Sequence, residues 1–144
     1  MLAQAHKLPQ QARRRVGEMD NLIAAALTIA GALFYGFIGV SAMARPRRLL
    51  RAFDLIAESA GARNEVRAVY GGLPLALSGA LLMSLWLLAE ARSVLVTVGF
   101  LTLAMAAARL ASALIDRAFG ASPRLWTMLE LAVAAALLWG GALR

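Results

Sequence analysis

The sequence predicts an all-α integral membrane protein: an antiparallel bundle of four transmembrane helices, with a short amphipathic interfacial helix between the first and second spans. Three observations carry this reading. The first is composition. Of 144 residues, 61% are hydrophobic and 16% charged, against about 45–50% and about 25% in soluble globular domains; the mean hydropathy of +0.70 leaves too little polar surface to cover the chain in water. The second is a set of four apolar stretches, each near the roughly 20 residues a spanning helix needs. The third is placement: charges collect in the breaks between stretches, and Trp86, Trp126 and Trp139 sit near stretch ends, where aromatic belts form.

Residues 1–20 read as a polar, basic N-terminal tail and residues 21–144 as one four-span domain. The first span covers 22–44. Ala42-Met43-Ala44 imitates a signal-peptide cleavage site, but the run is longer than a signal core of about 7–15 residues and follows a polar tail, so it is read as a true span. In residues 45–63, Pro46 stands where a helix would start. Leu49, Leu50, Phe53, Ile56 and Ala57 fall on one helical face, with Arg47, Arg51, Asp54 and Glu58 on the other. This is the interfacial helix, with Arg47, Arg48 and Arg51 turned to lipid headgroups. The second span covers about 68–89. Glu90-Ala91-Arg92 then reads as a minimal turn, making the second and third spans antiparallel neighbours. The third span covers 93–115. In the loop 116–124, Ser122 is the expected N-cap and Pro123 the first residue of the fourth helix, which spans 125–143.

The net charge is +7, from fifteen Lys and Arg against eight Asp and Glu. In so apolar a chain this excess points to the lipid bilayer and its anionic headgroups and away from nucleic acid. Six of the basic residues fall on the face that carries both termini and eight on the opposite face, too even a split for the positive-inside rule to orient the bundle. Cysteine is absent and His6 is the one histidine, out in the tail. The spans therefore offer no thiolate or imidazole to a metal or haem, and no Ser–His or Cys–His pair. Neither a phosphate loop nor a dinucleotide turn is present. The expectation is a protein without cofactor or metal, and not an enzyme.

Two charges are out of place. Arg109 and Glu130 lie inside the third and fourth spans, each about seven residues, or roughly 10 Å, from the 116–124 loop. An unpaired charge near mid-bilayer costs roughly 2.5–3.5 kcal/mol on insertion scales. Folding the hairpin brings the two to one depth, so an Arg109–Glu130 ion pair is the simplest way to insert both. Thr102, Arg109, Ser112 and Asp116 form one stripe; Thr127, Glu130, Ala134 and Gly141 form another, both expected to face inward. The second span enters through Asn64-Glu65-Val66-Arg67-Ala68-Val69-Tyr70-Gly71-Gly72-Leu73-Pro74. In a regular helix Arg67 and Tyr70 share a face. Pro74 deprives the Tyr70 carbonyl of its partner, and Gly71 and Gly72 permit close approach of a backbone or ligand. Glu65, Arg67, Tyr70, Arg109 and Glu130 are thus expected to converge, with Asp116 at the rim, as a structural lock, a ligand site or a partner site.

The run from Asn64 to Gly72, the arginine within the third span, Asp116 and Glu130 together resemble a bacterial family of small four-helix membrane proteins of unknown function, similar to the DoxX-like group. The resemblance implies that Glu65, Arg67, Tyr70, Gly71, Gly72, Arg109, Asp116 and Glu130 are its defining positions, and brings no established activity. The expected role is a non-enzymatic accessory subunit or assembly factor of a larger complex in the bacterial inner membrane, with a membrane-protein partner or a second copy of itself. Alternatives are a binding protein for a small amphipathic ligand, quinone or lipid, held near Tyr70, Arg109 and Glu130, and a proton or ion pathway.

Overall fold

The computed structural model describes residues 10–52, 56 and 58–144. Residues 1–9, with His6, and Phe53, Asp54 and Ala57 of the expected amphipathic face lie outside the described residues. The elements are α1 (Gln10–Ala44), α2 (Pro46–Arg51), α3 (Ala60–Met83), α4 (Ala91–Ile115) and α5 (Ala121–Ala142). Among the described residues four helices, α1, α3, α4 and α5, are long and apolar enough to cross a membrane, the architecture of a multi-pass membrane protein. At 1.5 Å per residue α1 is about 50 Å long, well beyond a hydrocarbon core of about 30 Å. Its first turns, within the expected polar tail, therefore stand out of the bilayer as helix.

Each boundary has a local cause. Pro46 opens α2 at its first turn, where a missing N–H costs nothing; Leu49 and Leu50 are buried while Arg47, Arg48 and Arg51 are exposed. The second span starts earlier than its hydropathy indicates because Ser59 caps it, its hydroxyl accepting from the Ala62 N–H at 3.0 Å. It also ends earlier. The Ser84 hydroxyl donates to the Leu81 carbonyl at 2.7 Å, and the N–H groups of Leu85 and Trp86 go to carbonyls three residues back. The helix tightens and stops at Met83. The connection to α4 is thus residues 84–90 and not the minimal Glu90–Arg92 turn. α4 closes in a left-handed cap: Arg117 has φ 50° and the Ala118 N–H reaches back to the Ala113 carbonyl at 3.2 Å. Ser122 does not cap α5, whose N-cap is Gly120; its hydroxyl donates instead to the Ala52 carbonyl, tying the end of α2 to the start of α5.

The bundle is two antiparallel pairs, α1 with α3 and α4 with α5, joined along α1 and α5, whereas α3 and α4 meet only lightly. Association in lipid relies on close packing and polar contacts, and both occur here. Leu81, Leu95 and Leu137 fill the centre with Ala32, Tyr35 and Val98. The Ser78 hydroxyl of α3 donates to the Ala32 carbonyl of α1 at 2.8 Å. Glycines form the seams. A Cβ on Gly39 would lie 3.0 Å from the Gly71 carbonyl oxygen and from the Leu75 amide nitrogen, so α1 and α3 touch backbone to backbone; one on Gly99 would lie 2.9 Å from Leu138 Cγ across the α4–α5 seam.

The α1–α3 seam predicts a contrast between two glycines. Gly39→Ala forces its methyl against backbone and should destabilise by about 1–3 kcal/mol. Gly79→Ala meets nothing within 4 Å and should gain up to about 1 kcal/mol from helix propensity. Thermal unfolding in detergent reads both; equal melting of the two variants contradicts the backbone contact.

Candidate functional site

The polar chemistry of the bundle gathers around Glu130. This carboxylate sits on α5 at 2% exposure, on the stripe with Thr127, Ala134 and Gly141, all buried. Its partner comes from α4, where the helical register carries Arg109 round to the α5 seam. The Arg109 Nε–H is shared between both carboxylate oxygens, with Nε at 2.9 Å from Oε2 and 3.1 Å from Oε1. The Arg109 side chain keeps 27% of its surface exposed against 3% for Glu130, so the pair is fully buried at its acid end and partly exposed at its base end. It is the one salt bridge among the described residues. Removing either partner strands a charge in a poor solvent, so the pair locks α4 to α5 at one depth.

Two turns back along α4 from Arg109 is a second polar contact, one that the sequence pattern does not announce. Tyr35 is 2% exposed, and its hydroxyl lies 2.5 Å from Thr102 Oγ1. The Thr102 hydroxyl donates to the Val98 carbonyl at 2.7 Å, which leaves its oxygen to accept from Tyr35. This bond ties α1 to α4. A tyrosine in the middle of an apolar span was the available signal, because a buried phenol needs a partner.

Between these layers and the lightly packed α3–α4 side lies a cleft of about 380 Å³. All four spanning helices contribute. Phe34, Tyr35 and Ile38 come from α1, Tyr70, Leu73, Pro74 and Leu77 from α3, Met105, Ala108 and Arg109 from α4, and Trp126 and Glu130 from α5. Leu73 and Met105 are 56% and 44% exposed, which puts the mouth between α3 and α4. The walls are apolar and aromatic; the polar groups are two phenols, the Trp126 indole N–H and the ion pair.

The expected site residues divide. Tyr70, Arg109 and Glu130 share the cleft. Arg67 does not join them: its Nε donates to the Met43 carbonyl at the end of α1, at 3.2 Å. The cause is backbone. Residues Arg67–Gly72 are wound as a π-helix, with the Leu73 N–H reaching the Ala68 carbonyl five residues back. The wider turn separates residues three apart and keeps Arg67 and Gly71 together on the α1 side. π-Winding of this kind re-pairs carbonyls next to a proline, here Pro74. Gly71 is buried, and a Cβ there would lie 2.7 Å from Met43 Sδ; Gly72 is exposed. Glu65 is exposed on the first turns of α3, outside the cleft. Asp116, exposed at the end of α4, accepts from the Ser112 hydroxyl at 3.1 Å. The α4 stripe thus faces inward as far as Arg109 and then leaves the bundle. Among the described residues no group of three or more His, Cys, Asp or Glu is placed to hold a metal ion.

A family described as a domain of unknown function, DUF4345, matches residues 23–140. The chain belongs to that family. The matched stretch runs from the first buried turns of α1 to Gly140 of α5, so the family unit includes the cleft and the ion pair. No curated protein and no solved structure matches the chain.

The pair predicts an asymmetric response. Arg109→Leu leaves Glu130 able to take up a proton, whereas Glu130→Gln leaves an arginine that cannot lose one. Glu130→Gln should destabilise by about 3–5 kcal/mol and Arg109→Leu by less, while Arg109→Leu/Glu130→Met should return most of the loss. Thermal melts of the three variants read this; single variants that melt like the wild type would remove the lock.

Proposed function

We propose that this protein is a small, non-enzymatic membrane protein that binds an amphipathic molecule of the quinone or lipid class in the four-helix cleft. The observation that carries the reading is the cleft's composition. Ligand sites of about 300–1,000 Å³ are mostly apolar, with a few placed polar groups that fix orientation, and this one has aromatic walls around one buried ion pair. Arg109, Glu130 and Tyr70 place polar side chains on a wall that is otherwise apolar, suited to a ring with carbonyl or hydroxyl groups, while Leu73, Leu77 and Met105 offer a surface for an apolar tail. A mouth between two lipid-facing helices suits a ligand that arrives through the bilayer.

A docking role as an accessory subunit rests on a different feature. α1 continues out of the span with Arg14, Arg15, Val16 and Met19 exposed on its first turns, a helical surface of mixed basic and apolar character that a partner protein can cover. The bacterial inner membrane as setting, and kinship with the DoxX-like group, belong to this same proposal and rest on the Glu65–Gly72 motif.

Trp126 lines the cleft, while Trp86 and Trp139 are exposed at the other end of the bundle, which supplies the test. In a Trp86→Phe/Trp139→Phe protein the remaining indole borders both the cleft and the outer furrow along α1, and a variant that fills only the cleft separates the two. A decyl-chain benzoquinone should quench it saturably, and Ala108→Phe, which fills the cleft without touching the ion pair, should abolish saturation while melting like its parent. Quenching that is linear in quinone and indifferent to Ala108→Phe overturns the proposal.

A further inference from the structure

A second hollow lies on the outside of the bundle, away from the cleft. Arg45, at the end of α1, Arg47, Arg48 and Arg51 of α2, and Arg63 and Arg67 of α3 surround one open basin of about 570 Å³. No acidic side chain lines it among the described residues; Glu58 borders a neighbouring hollow with Arg47 and Arg51. Three elements have to meet to build this basin, and specific contacts hold them. Pro46 starts α2 immediately after α1, Leu50 packs on Val66, and Arg67 is fastened to the Met43 carbonyl. Six guanidinium groups around one hollow repel one another unless an anion is present. Guanidinium forks match phosphate oxygens in bidentate geometry.

The basin is continuous with an apolar groove. A furrow of about 520 Å³ runs along the flank of α1, walled by Phe37, Val40, Leu49 and Trp126, and it ends against Arg45 and Arg48, which line both hollows. An apolar channel leading into a ring of arginines is the outline of a phospholipid: acyl chain below, phosphate above. The depth agrees, because Arg45 directly follows the last residue of a spanning helix, where headgroups begin.

We propose that the α1–α2 flank is a binding site for a phospholipid with an exposed phosphomonoester headgroup. The phosphate sits between Arg45 and Arg48, with Arg47, Arg51, Arg63 and Arg67 closing the basin, and one acyl chain lies along Val40 and Phe37. This site goes beyond the interfacial arginines of α2 alone, and it lies outside the inner cleft, with Trp126 bordering both.

The test uses the full chain reconstituted in vesicles of equimolar dioleoylphosphatidylcholine and dioleoylphosphatidate, extracted in neutral detergent, with retained lipid read by native mass spectrometry. Phosphatidate should be retained in excess. Arg45→Gln/Arg48→Gln, both exposed positions, should lower that retention at least about tenfold, given about 1 kcal/mol per basic residue near an anionic surface. Arg14→Gln/Arg15→Gln removes the same charge at the other end of α1 and should leave it unchanged. Val40→Trp, which fills the groove and leaves every arginine in place, should also lower it. Equal loss in the two arginine pairs, or retention no better than for phosphatidylcholine, overturns the site. Glycerol 3-phosphate and inorganic pyrophosphate distinguish a lipid from a soluble phosphate. Displacement of phosphatidate by its own short-chain form but by neither soluble anion is the expected result, and displacement by either at equal concentration overturns the lipid assignment.

Discussion

An ion pair inside an apolar bundle constrains everything built around it. Glu130 at 2% exposure has no water to turn to, and Arg109 supplies the compensating charge through one N–H shared by both carboxylate oxygens. That requirement fixes the depth at which α4 and α5 meet, and with it the register of the Gly99–Leu138 seam beyond. The same side chains form part of the cleft wall. One contact therefore sets both the helix seam and part of the cleft wall, as happens where ionisable groups are kept within a membrane span.

The third helix supplies the complementary constraint. Pro74 cannot donate to the helical ladder, and the six residues Arg67–Gly72 just upstream of it are wound wide. The result is a redistribution of faces. Arg67 and Gly71 turn to α1, where glycine lets the backbones touch, and Tyr70 turns into the bundle. Because α3 is committed to α1, it meets α4 only lightly, and the cleft opens in the gap. A straight α-helix in this position would place Arg67 beside Tyr70 and alter both the inner cleft and the outer basin.

Much of the fold was legible in the sequence, since hydropathy and the position of charges are strong signals in a chain with so little polar surface. The two isolated charges 21 residues apart, at equal distance from one loop, were enough to anticipate their pairing. Tyr70 shares the cleft with that pair, although regular helical register would have brought Arg67 with it. What escaped was set by local hydrogen bonds without a compositional mark. Residues 84–90 contain neither glycine nor proline, so nothing announced that Ser84 would close α3 there. Ser59 and Ser122 are both plausible caps, and only packing decided that the first caps a helix while the second ties two elements together. The π-winding is a tertiary accommodation to Pro74, and it moved Arg67 off the face that a regular period assigns to it. The arginine basin was divided in the sequence between 45–51 and 63–67, and only the fold brings its two halves together.

Direct contact between Arg109 and Glu130 within the bilayer holds the bundle in register. Solid-state NMR on protein reconstituted in lipid, with guanidinium nitrogens and glutamate carboxyl carbons isotopically labelled, measures that contact directly. Nε at 2.9 Å from a carboxylate oxygen predicts a through-space nitrogen–carbon dipolar coupling that disappears in Glu130→Gln. A wild-type spectrum with no such coupling, or one that survives Glu130→Gln unchanged, would contradict it.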